Sequence, residues 1–107
     1  MTSEELIATY RELHSLSQHM LDLARQEQWE PLLALDATRA AMLATVAGID
    51  IGAFDLSQTI QTELRDMIAA ILAADQQTVT LTEVWLSELR DILASASNER
   101  KITDAYR

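Results

Sequence analysis

Apolar residues recur every three or four positions along most of this chain, which is the spacing of an α-helix with one buried face. The first apolar stripe runs from Leu6 to Ala24. Thr2 and Glu5, ahead of the stripe, have the spacing of a capping box, and the polar residues 25–28 follow it. The pattern therefore predicts a first helix that ends within residues 25–28.

A second stripe predicts a helix from about Glu30 to Ala47. Pro31 suits its first turn, because the N–H that proline lacks would have no partner there. Trp29 comes just before this helix and can fold its ring back onto it. Gly48 has the position of the glycine that commonly follows a helix, so sequence signals bound this element on both sides.

A third stripe predicts a helix much longer than the other two. It follows a loop, residues 49–55, whose apolar side chains should pack over the end of the core, and Asp55 and Gln58 suggest a second capping box. Residues 78–82, "TVTLT", alternate like a β-strand, but the helical stripe passes through them in phase and the sequence offers no partner strand. We therefore expect one continuous helix to about Ala96, ~60 Å long at 1.5 Å per residue.

These elements predict an all-α protein, an antiparallel three-helix bundle over residues 1–97, because short loops make neighbouring helices antiparallel. Residues 98–107 form an appended C-terminal segment, for which a short helix and a mobile tail are equally compatible with the composition. Because the third helix outruns its partners, its excess apolar face must be covered by self-association, by the tail or by a guest helix. Alternatively, Trp85, Leu89 and Ile92 complete the core against the first helix.

The charge balance narrows the classes of partner. The chain has 8 basic and 17 acidic residues, a formal net charge of −9, and such a surface repels nucleic-acid phosphates and anionic lipid headgroups. The longest apolar run, residues 67–74, is far shorter than the ~20 residues of a membrane span, and the acidic, polar start does not resemble a signal peptide. We expect a cytoplasmic protein with no direct nucleic-acid binding and no membrane insertion.

The residues do not have the spacing of a catalytic, cofactor or metal site. The chain has no Cys, and its two histidines, His14 and His19, are five apart rather than the four that would place both on one helix face. Two glycines cannot build a glycine-rich phosphate loop. Asp75 is either a buried functional carboxylate or, as is commoner beside a stripe, a solvent-facing one. We therefore expect neither enzymatic activity nor a cofactor.

The second and third helices have wide aliphatic faces, as recognition of an amphipathic guest helix in a groove requires. We expect such a guest to bind between these two helices. The residues predicted to contact it are Leu35, Met42, Val46, Ile68, Ile71 and Leu72.

Three motifs together have the order and spacing of a known family. Residues 20–43, "MLDLARQEQWEPLLALDATRAAML", combine a helix that ends in an acidic, polar turn with Trp29 and the pattern Leu-x-x-Leu-(Asp/Glu)-x-x-Arg. "ILAADQQ" follows at residues 71–77, and "AYR" ends the chain. Over nearly its whole length the chain resembles the flagellar export chaperone family FliT.

The resemblance implies a cytoplasmic helical chaperone that binds the filament-cap protein and hands it to the export ATPase and the export gate. Some members also antagonise the flagellar master transcription regulator. The family's C-terminal segment regulates partner access, and its terminal Tyr contacts the export gate, which points here to Tyr106, with Ile102 one helical turn before it. Two alternatives remain open, a related helical secretion chaperone for another flagellar cargo and a structural bundle that forms a weak homodimer.

Overall fold

The computed structural model describes the backbone of residues 1–105 and the side chains of residues 1–96. Within the described backbone there are three α-helices and no β-strand, which confirms the predicted all-α class. The elements are α1 (Ser3–Arg25), α2 (Trp29–Val46), a short 3₁₀ turn (Ile51–Ala53) and α3 (Gln58–Ala105).

Hydroxyl side chains cap the starts of α1 and α3. Thr2 Oγ1 accepts a hydrogen bond, 3.1 Å long, from the backbone N–H three residues on, as the first capping box predicted. The second predicted capping box is wrong, because α3 begins at Gln58 and Ser57 Oγ accepts from the N–H of Ile60 at 3.3 Å. Asp55 lies too far before the first helical residue to reach these N–H donors.

The chain leaves α1 through a Schellman motif. The N–H of Gln28 donates to the carbonyl of Leu23 at 2.8 Å, and the N–H of Glu27 donates to the carbonyl of Ala24 at 3.1 Å. Glu27 has a φ of 58°, in the left-handed region where glycine is usually found. A glutamate therefore makes the turn into α2, which begins at Trp29, one residue earlier than expected.

The β-branched stretch 78–82 is helical, as predicted. The hydroxyls of Thr78, Thr80 and Thr82 each donate to the carbonyl four residues earlier, at 3.0, 3.0 and 2.8 Å. This bonding lets threonine side chains fit a helix without exposing the hydroxyl to an apolar neighbour. α3 continues through the stretch and runs to Ala105, beyond the expected end near Ala96.

α1 is the central helix of the bundle. Its backbone packs closely against both α2 and α3, whereas α2 and α3 meet through long side chains. One buried cluster at the loop end joins all three helices, and Ile49, Ile51 and Phe54 pack over it as predicted. The buried members of this cluster are Leu6, Leu13, Val46 and Ile71, and those of a second cluster toward Trp29 are Met20, Ala24 and Leu32.

α3 extends well beyond the ends of its partners. The protein measures 75 × 20 × 20 Å, and its radius of gyration of 20.4 Å exceeds the ~13 Å of a compact domain of this length. Trp85 is half-buried against Trp29, but Leu89 and Ile92 are exposed. The interpretation in which Leu89 and Ile92 complete the core is therefore wrong, because neither α1 nor α2 reaches that far along α3.

Candidate partner-binding surface

An ion pair joins α2 and α3 across the gap between their backbones. Arg39 contacts Asp75, and their side chains are 22% and 19% exposed. Arg39 Nη1 also lies 4.0 Å from Asp36 Oδ1, a longer contact within α2. The solvent-facing interpretation of Asp75 is wrong, because this carboxylate faces α2 and has a structural partner there.

Exposed apolar side chains flank this ion pair on both helices. Trp29 of α2 contacts α3, and Leu33 lies one turn after it. On α3, Leu72 and Val79 lie one turn to either side of Asp75. These three side chains are 67%, 64% and 48% exposed, so both helices carry apolar groups that the bundle does not cover. We call Leu33, Leu72 and Val79 the seam groove.

The apolar surface continues along α3 past the end of the bundle. Leu72, Val79, Leu86 and Leu93 are spaced seven residues apart, and all four are exposed. A seven-residue apolar repeat keeps one face of a helix turned toward a helical partner. We call these four residues the apolar strip, which is ~32 Å long from first to last at 1.5 Å per residue. Residues 86–96, beyond the Trp29 contact, are all exposed, and we call them the overhang.

A cleft of about 420 Å³ lies at the other end of the strip, between the 3₁₀ turn and the first turns of α3. Its apolar lining includes Ile51, Phe54, Leu56, Leu64 and Ile68. Arg65 also lines this cleft and is exposed. We call this the loop-end cleft.

The six residues predicted to form one cargo groove fall in different places. Val46 and Ile71 are buried in the loop-end core, and Leu35 is half-buried against the second cluster. Met42 is half-buried and lines a separate shallow cleft between α1 and α2. Ile68 lines the loop-end cleft, and Leu72 belongs to the seam groove.

Ile68 and Leu72 are thus the predicted groove residues that border the α3 surface open to a guest. Sequence reasoning missed Leu33 as a surface residue, although its position four residues after Trp29 was a usable signal. It also missed Arg65, which lines the cleft only because the loop folds beside it. The predictions for Ile102 and Tyr106 concern side chains outside the described residues.

Two features are absent from the described part of the chain. Within it, no group of three or more His, Cys, Asp and Glu side chains is arranged to hold a metal ion. None of the described helices combines the length and apolar character that crossing a membrane requires.

Comparison with known proteins gives the family. Residues 7–107 match the family described as "Flagellar protein FliT". The chain belongs to the FliT family. Its relatives include FliT proteins of Serratia proteamaculans, 25% identical over 96% of this chain and 84% of that protein, and of Escherichia coli K12, 29% identical over 94% and 83%. The FliT protein of Photorhabdus laumondii is 26% identical over 95% of this chain and 81% of its own. No solved structure matches the chain.

Membership of the FliT family confirms the resemblance seen in the sequence. It places the chain among flagellar proteins with an all-α fold. The matches cover 94–96% of this chain and more than four-fifths of each relative, so the similarity extends over all three helices.

Proposed function

We propose that this protein is a cytoplasmic chaperone of flagellar type III export. Its cargo is the filament-cap protein, which it binds before export and delivers to the export ATPase and the export gate. It also antagonises the flagellar master transcription regulator through protein–protein contact, since a net charge of −9 disfavours binding to the DNA itself. The observation that carries the proposal is the uncovered apolar surface of α3.

That surface suits an amphipathic helix better than a flat partner. A guest helix presents apolar side chains on one face at steps of three and four residues, and the apolar strip repeats every seven. The backbones of α2 and α3 are not closely packed, and the Arg39–Asp75 pair bridges them beside these exposed side chains. An exposed apolar surface of this length is otherwise a liability for solubility.

The proposal is tested by Leu72→Asp, which puts a charge in the seam groove at a side chain that is 64% exposed. The variant should fold normally and bind the filament-cap protein at least tenfold more weakly in isothermal titration calorimetry. Val84→Asp is the matched control, because Val84 is an apolar residue of α3 that is 51% exposed and lies beside the end of α1. Unchanged cap-protein affinity in a folded Leu72→Asp variant would exclude the seam groove.

The same titration separates the alternatives. Flagellin bound in place of the cap protein would identify a chaperone for another cargo. Binding of neither, together with reversible dimerisation in sedimentation equilibrium that Leu93→Asp abolishes, would identify a structural homodimer formed through the overhang. Leu93 is suited to this role because it is exposed and beyond the bundle.

A further inference from the structure

The loop-end cleft has a mostly apolar lining and includes one cationic residue, Arg65, which is exposed. Its walls come from two parts of the chain, the 3₁₀ turn with the residues after it and the first turns of α3. Gln61 Nε2 donates to the carbonyl of Leu56 at 2.9 Å and so ties the loop to the helix. The packing of Ile51 and Phe54 on the buried core fixes the other side of the loop. The cleft is therefore held by contacts of its own.

Arg65 differs from the three arginines that pair with acidic side chains. Arg11 pairs with Glu63 at 2.7 Å, Arg25 lies 3.7 Å from Asp22, and Arg39 pairs with Asp75. Within the described side chains Arg65 makes no ion pair, which is also true of Arg90 in the overhang. Its neighbours three and four positions away on α3 are Gln61, Thr62, Ile68 and Ala69, none of them acidic.

An exposed arginine without a partner is available to a carboxylate from outside. A guanidinium offers paired N–H donors that match the two oxygens of a carboxylate. Arg65 lies three residues from Ile68 and seven from Leu72, so cation, cleft and seam groove follow one another along one side of α3. The side chains of a guest helix bound on that side of α3 therefore lie over Arg65.

We propose that the loop-end cleft takes an apolar side chain of the guest helix while Arg65 binds an Asp or Glu side chain one helical turn away on the same guest. This inference rests on the proposed function and adds to it the chemistry of the cargo segment. The segment must be apolar along one face and acidic at the end that lies over the start of α3. The Arg65 contact then sets the direction and register of the guest helix. The apolar strip alone does not set them, because its repeat is the same at each position.

Arg65→Glu tests the proposal, measured by titration calorimetry with the intact filament-cap protein. The variant should bind at least tenfold more weakly, and the loss should shrink as salt is raised from 50 to 500 mM. Arg25→Glu, on α1, changes the net charge by the same amount away from the cleft and should stay within twofold of the unmodified protein. An Asp or Glu→Arg substitution in the bound segment of the cap protein should restore affinity for Arg65→Glu.

The outcomes distinguish this inference from the proposed function. Normal affinity of Arg65→Glu together with weak binding of Leu72→Asp would overturn the carboxylate contact and leave the seam groove in place. A second outcome would also overturn the side-chain assignment. If adding residues after the last residue of the guest abolishes binding, and no charge reversal within the guest restores affinity for Arg65→Glu, then Arg65 binds the C-terminal carboxylate of the guest instead. If the unmodified protein does not bind the cap protein, both proposals fail.

Discussion

The indole rings of Trp29 and Trp85 lie with their centroids 4.9 Å apart and their planes inclined by 32°. Trp29 is the first residue of α2, and Trp85 lies where α3 leaves the bundle. The contact therefore holds the start of α2 against α3 and marks the boundary between the covered and uncovered parts of the long helix. Two half-buried indoles, rather than a buried aliphatic layer, close this end of the core.

Trp85→Ala should lower the free energy of unfolding by about 2 kcal/mol, between the values for a fully buried and an exposed aromatic side chain. The double-mutant cycle with Trp29→Ala should give a coupling energy of ~0.5–1.5 kcal/mol. Urea denaturation followed by far-UV circular dichroism measures both, because the substitutions remove the fluorophores. Leu93→Ala, in the overhang, should change stability by less than ~0.5 kcal/mol. A loss below ~1 kcal/mol for Trp85→Ala, without coupling, would mean that the indoles do not anchor α2.

Asp75→Asn should destabilise the protein by about 2 kcal/mol, because it removes the closer and less exposed of the two carboxylates beside the largely buried Arg39 side chain. Asp36→Asn is the control, since its carboxylate is 55% exposed and 4.0 Å from Arg39, and it should cost less than ~0.5 kcal/mol. Thermal and urea unfolding measure the two variants side by side. The double substitution Arg39→Met and Asp75→Leu should recover most of the loss. Equal losses of stability in the two asparagine variants would contradict the prediction, because the α2–α3 ion pair would then contribute no more than the Asp36–Arg39 contact.

Glu27→Gly should stabilise the protein by ~0.5–1 kcal/mol, because glycine adopts the left-handed conformation of the Schellman motif without the strain of a Cβ. The same substitution one residue earlier provides the control. Gln26 has a φ of −90°, so Gln26→Gly only adds freedom to the unfolded chain and should be destabilising. Opposite signs at adjacent positions in chemical denaturation are the expected result, and a destabilised Glu27→Gly variant would contradict it.

The helices could be predicted from the sequence because a wide apolar stripe, polar breaks and few glycines all indicate the same elements. The Arg39–Asp75 contact could not, since its members are 36 positions apart and the spacing rules apply only within one helix. The start of α3 was misplaced because Asp55 and Ser57 are both good capping residues, and the loop's packing over the core decides between them.

The candidate site was harder to predict than the fold. Ile71 and Leu72 are neighbours on one apolar face, yet Ile71 is 6% exposed and Leu72 is 64% exposed. Periodicity shows which way a face points, but the width covered by the other helices depends on how far apart they pack. Because α2 and α3 are spread apart, the edges of the face stay open while its centre is buried. Val46 is in the core and Leu33 is not for another reason, since thirteen residues of helix turn the two side chains about 140° apart.

The C-terminal segment, residues 98–107, should regulate access to the apolar surface of α3. Its Arg100, Lys101 and Arg107 are attracted to an acidic body, and Ile102 and Tyr106 are four residues apart, so a helical segment presents both on one side. The backbone of α3 continues through residue 105, and folding the segment back over the overhang therefore requires a break in the helix. Ser95 and Ser97 are weak helix formers just before the segment and are where we expect that break.

A variant that ends at Ser97 should bind at least one partner more tightly than the full chain, and Tyr106→Ala should reproduce part of the gain. The double substitution Ser95→Ala and Ser97→Ala should also tighten partner binding in the full chain. Each alanine favours the continuous helix by ~0.5 kcal/mol and so opposes the break that the folded-back segment requires. That sum corresponds to a gain of about fivefold in affinity, measurable by calorimetry with the cap protein and the export ATPase. If truncation leaves every affinity unchanged, the segment has no regulatory role. If truncation weakens binding to one partner alone, residues 98–107 are a contact surface for that partner, and the two alanine substitutions should then leave its affinity unaltered.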